Sequence, residues 1–399
     1  MANPRILLLE GIHPGAKANF EEAGFDVELQ GGALGEDALI ETAKGCVAIG
    51  VRSKTHVTER VLEALPELRS VGAFCIGTNQ LALAAANRLG VPCFNAPFSN
   101  TRSVAELVLA EIVFLARRMG DRNREMHAGK WMKTAKNSHE VRGKTLGIIG
   151  YGHIGRQVGV LGEAFGLRVL FHDIASVLPM GNNSPSVGLD TLLAESDFVS
   201  LHVPATPETE WMIGKSELAK MKPGACLLNL SRGNVVVIED LAEALESHLG
   251  GAAVDVYPKE PRTNDEPFET PLRNKANVIL SPHIGGSTVE AQVAIGQEVS
   301  GALIRFLQHG STTGSVNFPI VDLPPRPGTE RIQHVHRNEP GVLGDVNRIV
   351  SSHGANVLGQ VLATDEAIGY LLMDVEAGKG AGITSDIAEL GTTVRARLL

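Results

Sequence analysis

The stretch LGIIGYGHIGRQVG, residues 146–159, decides how this chain is read. An apolar run enters Gly150, Gly152 and Gly155, and a helix-like pattern leaves them. At this G-x-G-x-x-G spacing each glycine has a task. The first permits a tight turn, the second lets backbone approach a pyrophosphate, and the third lets helix and strand pack closely. Free N–H groups at the helix start then face the phosphates. In a chain with 44 glycines the fingerprint alone says little, and a plain glycine turn would look the same. Its surroundings add to it. The next apolar run, VLFHD, ends at Asp173, at the distance where an acidic residue bonds a ribose 2′-OH. Ile174, Ala175 and Ser176 follow, so no cation waits for a 2′-phosphate, and NAD is expected rather than NADP.

Outward from this motif, β-rich runs alternate with helical patterns. Upstream, RILLLE, CVAIGV and SVGAF read as buried strands and residues 79–89 as a short helix. Residues 101–118, TRSVAELVLAEIVFLARR, form a long amphipathic helix opened by a Thr cap. Downstream come LGIIG, VLFHD, FVSLHV, ACLLNL, AAVDV and VILSP, then a helix over 288–308. Such alternation implies parallel sheets with helices on both faces. PIVDLPPRPG breaks the periodicity and reads as a linker. The remaining segment runs β-α-β-β-α-β, the split sandwich. The expected fold class is α/β: two Rossmann-like, doubly wound parallel-sheet domains plus a C-terminal α+β domain.

Composition narrows the class. The 399 residues are 43% hydrophobic and 20% charged, ordinary for a globular protein and enough for more than one domain. A net charge of −9 without a basic cluster speaks against nucleic acid. No apolar run approaches the roughly 20 residues of a membrane span. MANPRILLLE lacks the pattern of a signal peptide. Cys46, Cys75, Cys93 and Cys226 have no C-x-x-C spacing, so packing thiols in a reducing compartment are expected, with no metal site. The expected location is cytoplasmic.

Three strand ends carry isolated polar residues: LLNLSRG, AAVDVYPKEP and VILSPHIGGST. Ligands of open parallel sheets bind beyond the C-terminal strand ends, so Arg232, Glu260 and His283 converge although far apart in sequence. Singly each has a plain reading as a cap, a loop charge or a turn residue. Together they suit hydride removal from a 2-hydroxy acid. A histidine takes the hydroxyl proton, a carboxylate favours the imidazolium, and an arginine grips the substrate carboxylate through two hydrogen bonds. The set GYGHIG, SRG, the Glu of KEP and SPHIGGST resembles the D-2-hydroxyacid dehydrogenases. That resemblance implies Arg232, Glu260 and His283 as the catalytic trio. It implies cofactor contacts from Asp255, from Leu230, Ser231 and Arg232, from His283, Gly285 and Gly286, and from His153 and Ile154 over the pyrophosphate. It also implies a nucleotide domain, 100–286, inserted into a substrate domain made of 1–99 and 287–317. A linker, 318–327, and a regulatory domain, 328–399, would follow.

VRSKTHVTE, CIGTNQ, FNAPFSNTRSVAE and the GKW at 129–131 are similar, within that family, to the members that oxidise D-3-phosphoglycerate to open serine biosynthesis. This implies substrate contacts from Arg52, Ser53, Lys54 and Asn100, although position 54 is often arginine in such relatives. It implies a homotetramer, to which Trp131 is a candidate contact, a buried tryptophan within one subunit being the other reading; a weak side activity on 2-oxoglutarate is expected because that molecule also carries an acid at its far end. GTERIQHVHRNEPGVLGDVNRIVSSHGANV resembles the ACT domains that hold L-serine between two copies, which implies His336, Asn338 and Asn356 as effector residues. Two other readings stand beside this one: a dehydrogenase for another 2-hydroxy acid, and a non-catalytic NADH-sensing corepressor of the same fold.

Overall fold

A computed structural model describes residues 3–261 and 265–399. Contacts divide the chain into two compact units, Met1–Ser99 with Gln292–Leu399, and Asn100–Ala291. The second crossing falls inside the helix Val289–His309, a few residues beyond the boundary expected at 286/287.

The first sheet has strands β1 (Arg5–Leu8), β2 (Asp26–Leu29), β3 (Cys46–Val51), β4 (Ser70–Ala73) and β5 (Cys93–Phe94). They are parallel, in the order β2-β1-β3-β4-β5. CVAIGV is buried at every position, as a strand covered on both faces must be. The helix expected over 79–89 is confined to Leu83–Arg88, because Leu81 is drawn into a bridge with Val57. The order reverses between β1 and β3, and the loops after these two strands lie side by side there.

The second unit holds β6 (Thr145–Ile149), β7 (Arg168–His172), β8 (Phe198–Leu201), β9 (Cys226–Asn229), β10 (Gly251–Val254) and β11 (Val278–Leu280), in the order β11-β10-β9-β8-β6-β7. All neighbours are parallel, and the order reverses between β6 and β8. The helix Thr101–Arg117 packs Val104, Val108, Ile112 and Leu115 into the same core as Ile148, Val158 and Leu228. This is the doubly wound arrangement, with its ligand crevice at the reversal.

The C-terminal sheet is antiparallel: β12 (Thr329–Arg337), β13 (Val357–Thr364), β14 (Ile368–Glu376) and β15 (Thr393–Leu398), in the order β13-β14-β12-β15. One face packs Ile332, Leu371 and Met373 against the helices Val342–Ser352 and Gly380–Ala388. The other face sends Val335, Tyr370 and Leu372 into a core shared with Ile6, Leu8, Phe94 and Phe306. The proline-rich segment, expected as a linker, is part of that core: Phe318 and Val321 are buried in it. Arg331 holds it further. Its guanidinium pairs with Asp374 at 2.7 and 2.8 Å and donates to the carbonyls of His309, Leu323 and Pro324. Isolated anchors of this kind leave no periodicity, so the sequence reading does not see them.

Cys46, Cys93 and Cys226 are buried and free, and burial pushes the thiols of Cys93 and Cys226 up to about 12. No helix among the described residues is long and apolar enough to cross a membrane.

Candidate active site

The glycine motif sits at the reversal point of the second sheet. Gly150 has φ +88°, and a Cβ there would fall 2.4 Å from the His202 carbonyl oxygen at the end of β8. A Cβ at Gly155 would fall 2.2 Å from the Gly150 oxygen, whereas at Gly152 it would meet only open space. Two glycines therefore serve close packing, and Gly152 leaves room for a phosphate before the helix His153–Ala164. His153 is exposed and Ile154 half-buried in its first turn. Asp173 follows β7. One oxygen accepts the Tyr151 N–H at 2.7 Å and the other accepts Ala175 N–H at 2.8 Å. Each oxygen keeps a second lone pair for a ribose hydroxyl. The chain thus fits a dinucleotide, and Ile174 beside it is fully exposed and uncharged.

Three loops at the ends of β9, β10 and β11 bring the polar residues together. After β9, buried Asn229 staples the SRG turn: its Oδ1 accepts from the Ser231 N–H and hydroxyl, and its Nδ2 donates to the Arg232 carbonyl. Leu230 and Ser231 are buried beneath it. A Cβ at Gly233 would lie 2.0 Å from the Tyr257 carbonyl carbon, so only glycine lets this turn meet the loop after β10. Glu260 in that loop accepts from the Tyr257 N–H at 3.2 Å and meets His283 Nδ1 at 2.9 and 3.0 Å. Asp255, 1% exposed, accepts from the Ser281 hydroxyl and from the N–H groups of Ile284 and Gly285. Its carboxylate is spent on the turn that presents His283. Asn100 packs on Gly286, and its buried Oδ1 has no partner among the described residues.

Electrostatics follow from this geometry. The hydrogen bond to Glu260 raises the His283 imidazole above its ordinary value, against burial and the charge of Arg232. Burial pushes Glu260 upward, but the bond from His283 and the nearby Arg232 hold it below the usual carboxylate range. Glu111, on the helix Thr101–Arg117, is a buried acid that the sequence reading passes over. Burial, and secondarily Asp255, pushes it up to about 8, and its Oε2 has no partner among the described residues.

In the first unit, the loop after β3 carries partly buried Arg52 with exposed Ser53 and Lys54. Its backbone is organised by Glu10, from the loop after β1. That carboxylate accepts the N–H groups of Arg52, Ser53, Lys54 and Thr55 at 2.8–3.1 Å. The amides are taken, so an anion here has only side chains to bind.

Residues 109–285 match the model of the D-isomer specific 2-hydroxyacid dehydrogenase NAD binding domain, and 332–395 match the AHAS small subunit-like ACT domain. The D-3-phosphoglycerate dehydrogenase of Dictyostelium discoideum is 52% identical over 396 residues, covering 99% of this chain and 97% of that one. The chain belongs to the D-3-phosphoglycerate dehydrogenase family. The enzyme of that name from Escherichia coli K12 is 49% identical over 405 residues, at the same coverage. Among solved structures, the NAD-complexed D-isomer specific 2-hydroxyacid dehydrogenase of Lactobacillus delbrueckii superposes with a TM-score of 0.68 at 26% identity. It covers 78% of this chain and all of that one. The second unit is accordingly an NAD-binding domain.

The effector candidates lie at strand ends of the C-terminal sheet. His336, one residue before the end of β12, lies over Gly369, where a Cβ would fall 2.2 Å from its ring, and its Nδ1 donates to the Arg337 carbonyl. Asn338 follows, its amide donating to the Asp365 carbonyl. Asn356 is bonded to Glu376 instead. Gly369 and Glu376 are at opposite ends of β14, roughly 20 Å apart at the usual strand rise. Within one chain the three do not converge. Trp131 is 78% exposed.

Proposed function

We propose that the protein oxidises D-3-phosphoglycerate to 3-phosphohydroxypyruvate with NAD, opening phosphorylated L-serine biosynthesis. The observation that carries this reading is the His283–Glu260 pair under the charge of Arg232, on loops of an NAD-binding sheet. NAD supplies the hydride acceptor. His283 turns Nδ1 to Glu260, which leaves Nε2 to take the proton of the C2 hydroxyl. Glu260 orients the ring and favours the imidazolium as the hydroxyl is oxidised. Arg232 grips the substrate carboxylate with its planar fork. Arg52, Ser53 and Lys54 bind the phosphate through side chains, Lys54 acting as a point charge without a fork, and Asn100 is a further substrate contact. NADP is the poorer cofactor, because its 2′-phosphate would face Asp173.

NADH consumption measured side by side with 3-phosphohydroxypyruvate, glyoxylate, pyruvate and 2-oxoglutarate tests this. The first should be consumed fastest, with slow reduction of 2-oxoglutarate to 2-hydroxyglutarate. A faster rate on glyoxylate or pyruvate moves the protein to another branch of the family. Bound NADH with no turnover on any substrate makes it a sensor.

L-Serine is the proposed effector of the tail, in a cytoplasmic homotetramer. Since Asn356 lies far from His336 and Asn338 in one chain, two tails must pair to enclose it. His336→Ala and Asn356→Ala should raise the serine concentration that halves activity, while turnover without serine is kept. Full-length enzyme indifferent to millimolar serine removes serine as the ligand.

A further inference from the structure

A cavity of about 700 Å³ opens within the first unit, between β15 and the loops that precede β4 and β5. Arg69, Arg395 and Arg397 line it, with Val47, Leu89 and Val394 among its apolar walls. The charges of Arg69 and Arg395 both act on Arg397. Among the described residues none of them forms an ion pair, and exposed Glu63 and Glu67 stand at the rim. Arg395 is held by the carbonyls of Leu89 and Leu68. Arg397 is held by Gln333, by the Phe306 carbonyl and by the Phe306 ring face at 5.1 Å. Its Nη1 is shielded from solvent and has no partner among the described residues.

This cluster belongs to neither the trio nor the effector candidates. Like charges brought close together repel, and a buried donor left uncompensated destabilises the fold. Burial, followed by the charges of Arg69 and Arg395, pushes Arg397 down to about 9, so at neutral pH it is still cationic. Structural arginines at such a depth are normally matched, as Arg331 is by Asp374 in the same sheet. A cavity of this size exceeds what a bare ion fills and lies in the range of small-molecule sites. Guanidinium forks match phosphate oxygens, and the apolar walls suit a short carbon skeleton.

We propose that Arg69, Arg395 and Arg397 form a second anion site, which takes a small organic phosphate. A ligand there would bridge the C-terminal sheet and the first sheet, and would stabilise the docked tail.

The test is calorimetric titration of full-length protein with inorganic phosphate, pyrophosphate and glycerol 3-phosphate, in wild type, Arg69→Ala and Arg397→Gln. Arg69 is exposed, so its loss leaves the fold intact even if Arg397→Gln does not fold. One anion per chain should bind beside any held by the loop after β3, and its affinity should weaken about tenfold or more in Arg69→Ala, the scale of one charge-assisted hydrogen bond. Glycerol 3-phosphate binding tighter than inorganic phosphate supports an organic ligand, and the reverse order leaves only a phosphate site and overturns that part. Equal affinity in wild type and Arg69→Ala places the anion elsewhere and overturns the proposal. So does the absence of saturable binding by any of the three up to about 10 mM.

Discussion

Holding a residue other than glycine at φ +56°, as His283 is held, costs roughly 1–3 kcal/mol, which its surroundings must offset. Asp255 supplies that: its carbonyl accepts the His283 N–H and its carboxylate accepts the next two. The imidazole is then fixed against Glu260 rather than left to rotate. His283→Ala is expected to lower turnover by roughly 100-fold or more, with NAD affinity little changed. Near-normal turnover removes His283 from the reaction. Because Glu260 raises the histidine, the neutral base needed for oxidation forms only as pH rises through that raised value. Glu260→Gln should shift the acid limb of the pH–kcat/KM profile to lower pH, and an unmoved limb excludes the pairing. Glu111 titrates differently. Its folded value, about 8, stands above the ordinary carboxylate value, so stability present in acid is lost between about pH 4.5 and 8. Thermal midpoints of Glu111→Gln should be flatter across that window than those of wild type, and identical slopes would show that Glu111 does not bind a proton there.

At the scale of elements, the site is an agreement among loops. The SRG turn is stapled by Asn229 to its own strand and pressed through Gly233 onto the Tyr257–Pro258 backbone. Gly233→Ala forces these two loops apart without changing the identity of any proposed catalytic side chain. A displacement near 1 Å costs about 100-fold in a positioned reaction, so kcat/KM should fall on that order. The melting temperature, set mainly by the β-sheet cores, should move far less. Full activity in this variant would mean that Arg232 needs no fixed distance from the loop of Glu260. The loop after β3 shows the same economy, because the Glu10 carboxylate fixes four of its amides and the Glu10 carbonyl accepts from the Arg52 guanidinium.

For the whole molecule, the tail is not a pendant domain. Val335, Tyr370 and Leu372 share a core with Phe94 and Phe306, and the segment expected to be a free linker buries Phe318 and Val321 in it. A chain ending at residue 327 would expose that surface. It should accumulate in insoluble form or melt several degrees lower than the full chain, with loss of activity following loss of fold. A soluble truncated enzyme with an unchanged melting temperature would show that the shared core contributes nothing to stability. Regulation through the tail then has a physical route, since a ligand that changes how β12 and β15 sit acts on a core continuous with the first sheet.

Much of this was legible in the residues alone. Strand and helix periodicities, the glycine spacing and Asp173 are local signals, because each depends on neighbours within one turn or one strand. Even Arg232, Glu260 and His283 could be grouped, since parallel sheets present the ends of their strands on one side. The partners could not be. Glu10, Asn229 and Glu111 look like ordinary polar residues until the fold places four amides, a turn and a buried carboxylate against them. His336 and Asn356 share a domain in the sequence, but β14 sets them at opposite ends. Arg395 and Arg397 read as alternate residues of a terminal strand, and only docking onto the loop of Arg69 makes them a cluster. Local pattern follows from backbone geometry, which each short stretch determines by itself. Which charge meets which is decided by packing between segments hundreds of residues apart, and that information exists only once the chain has folded.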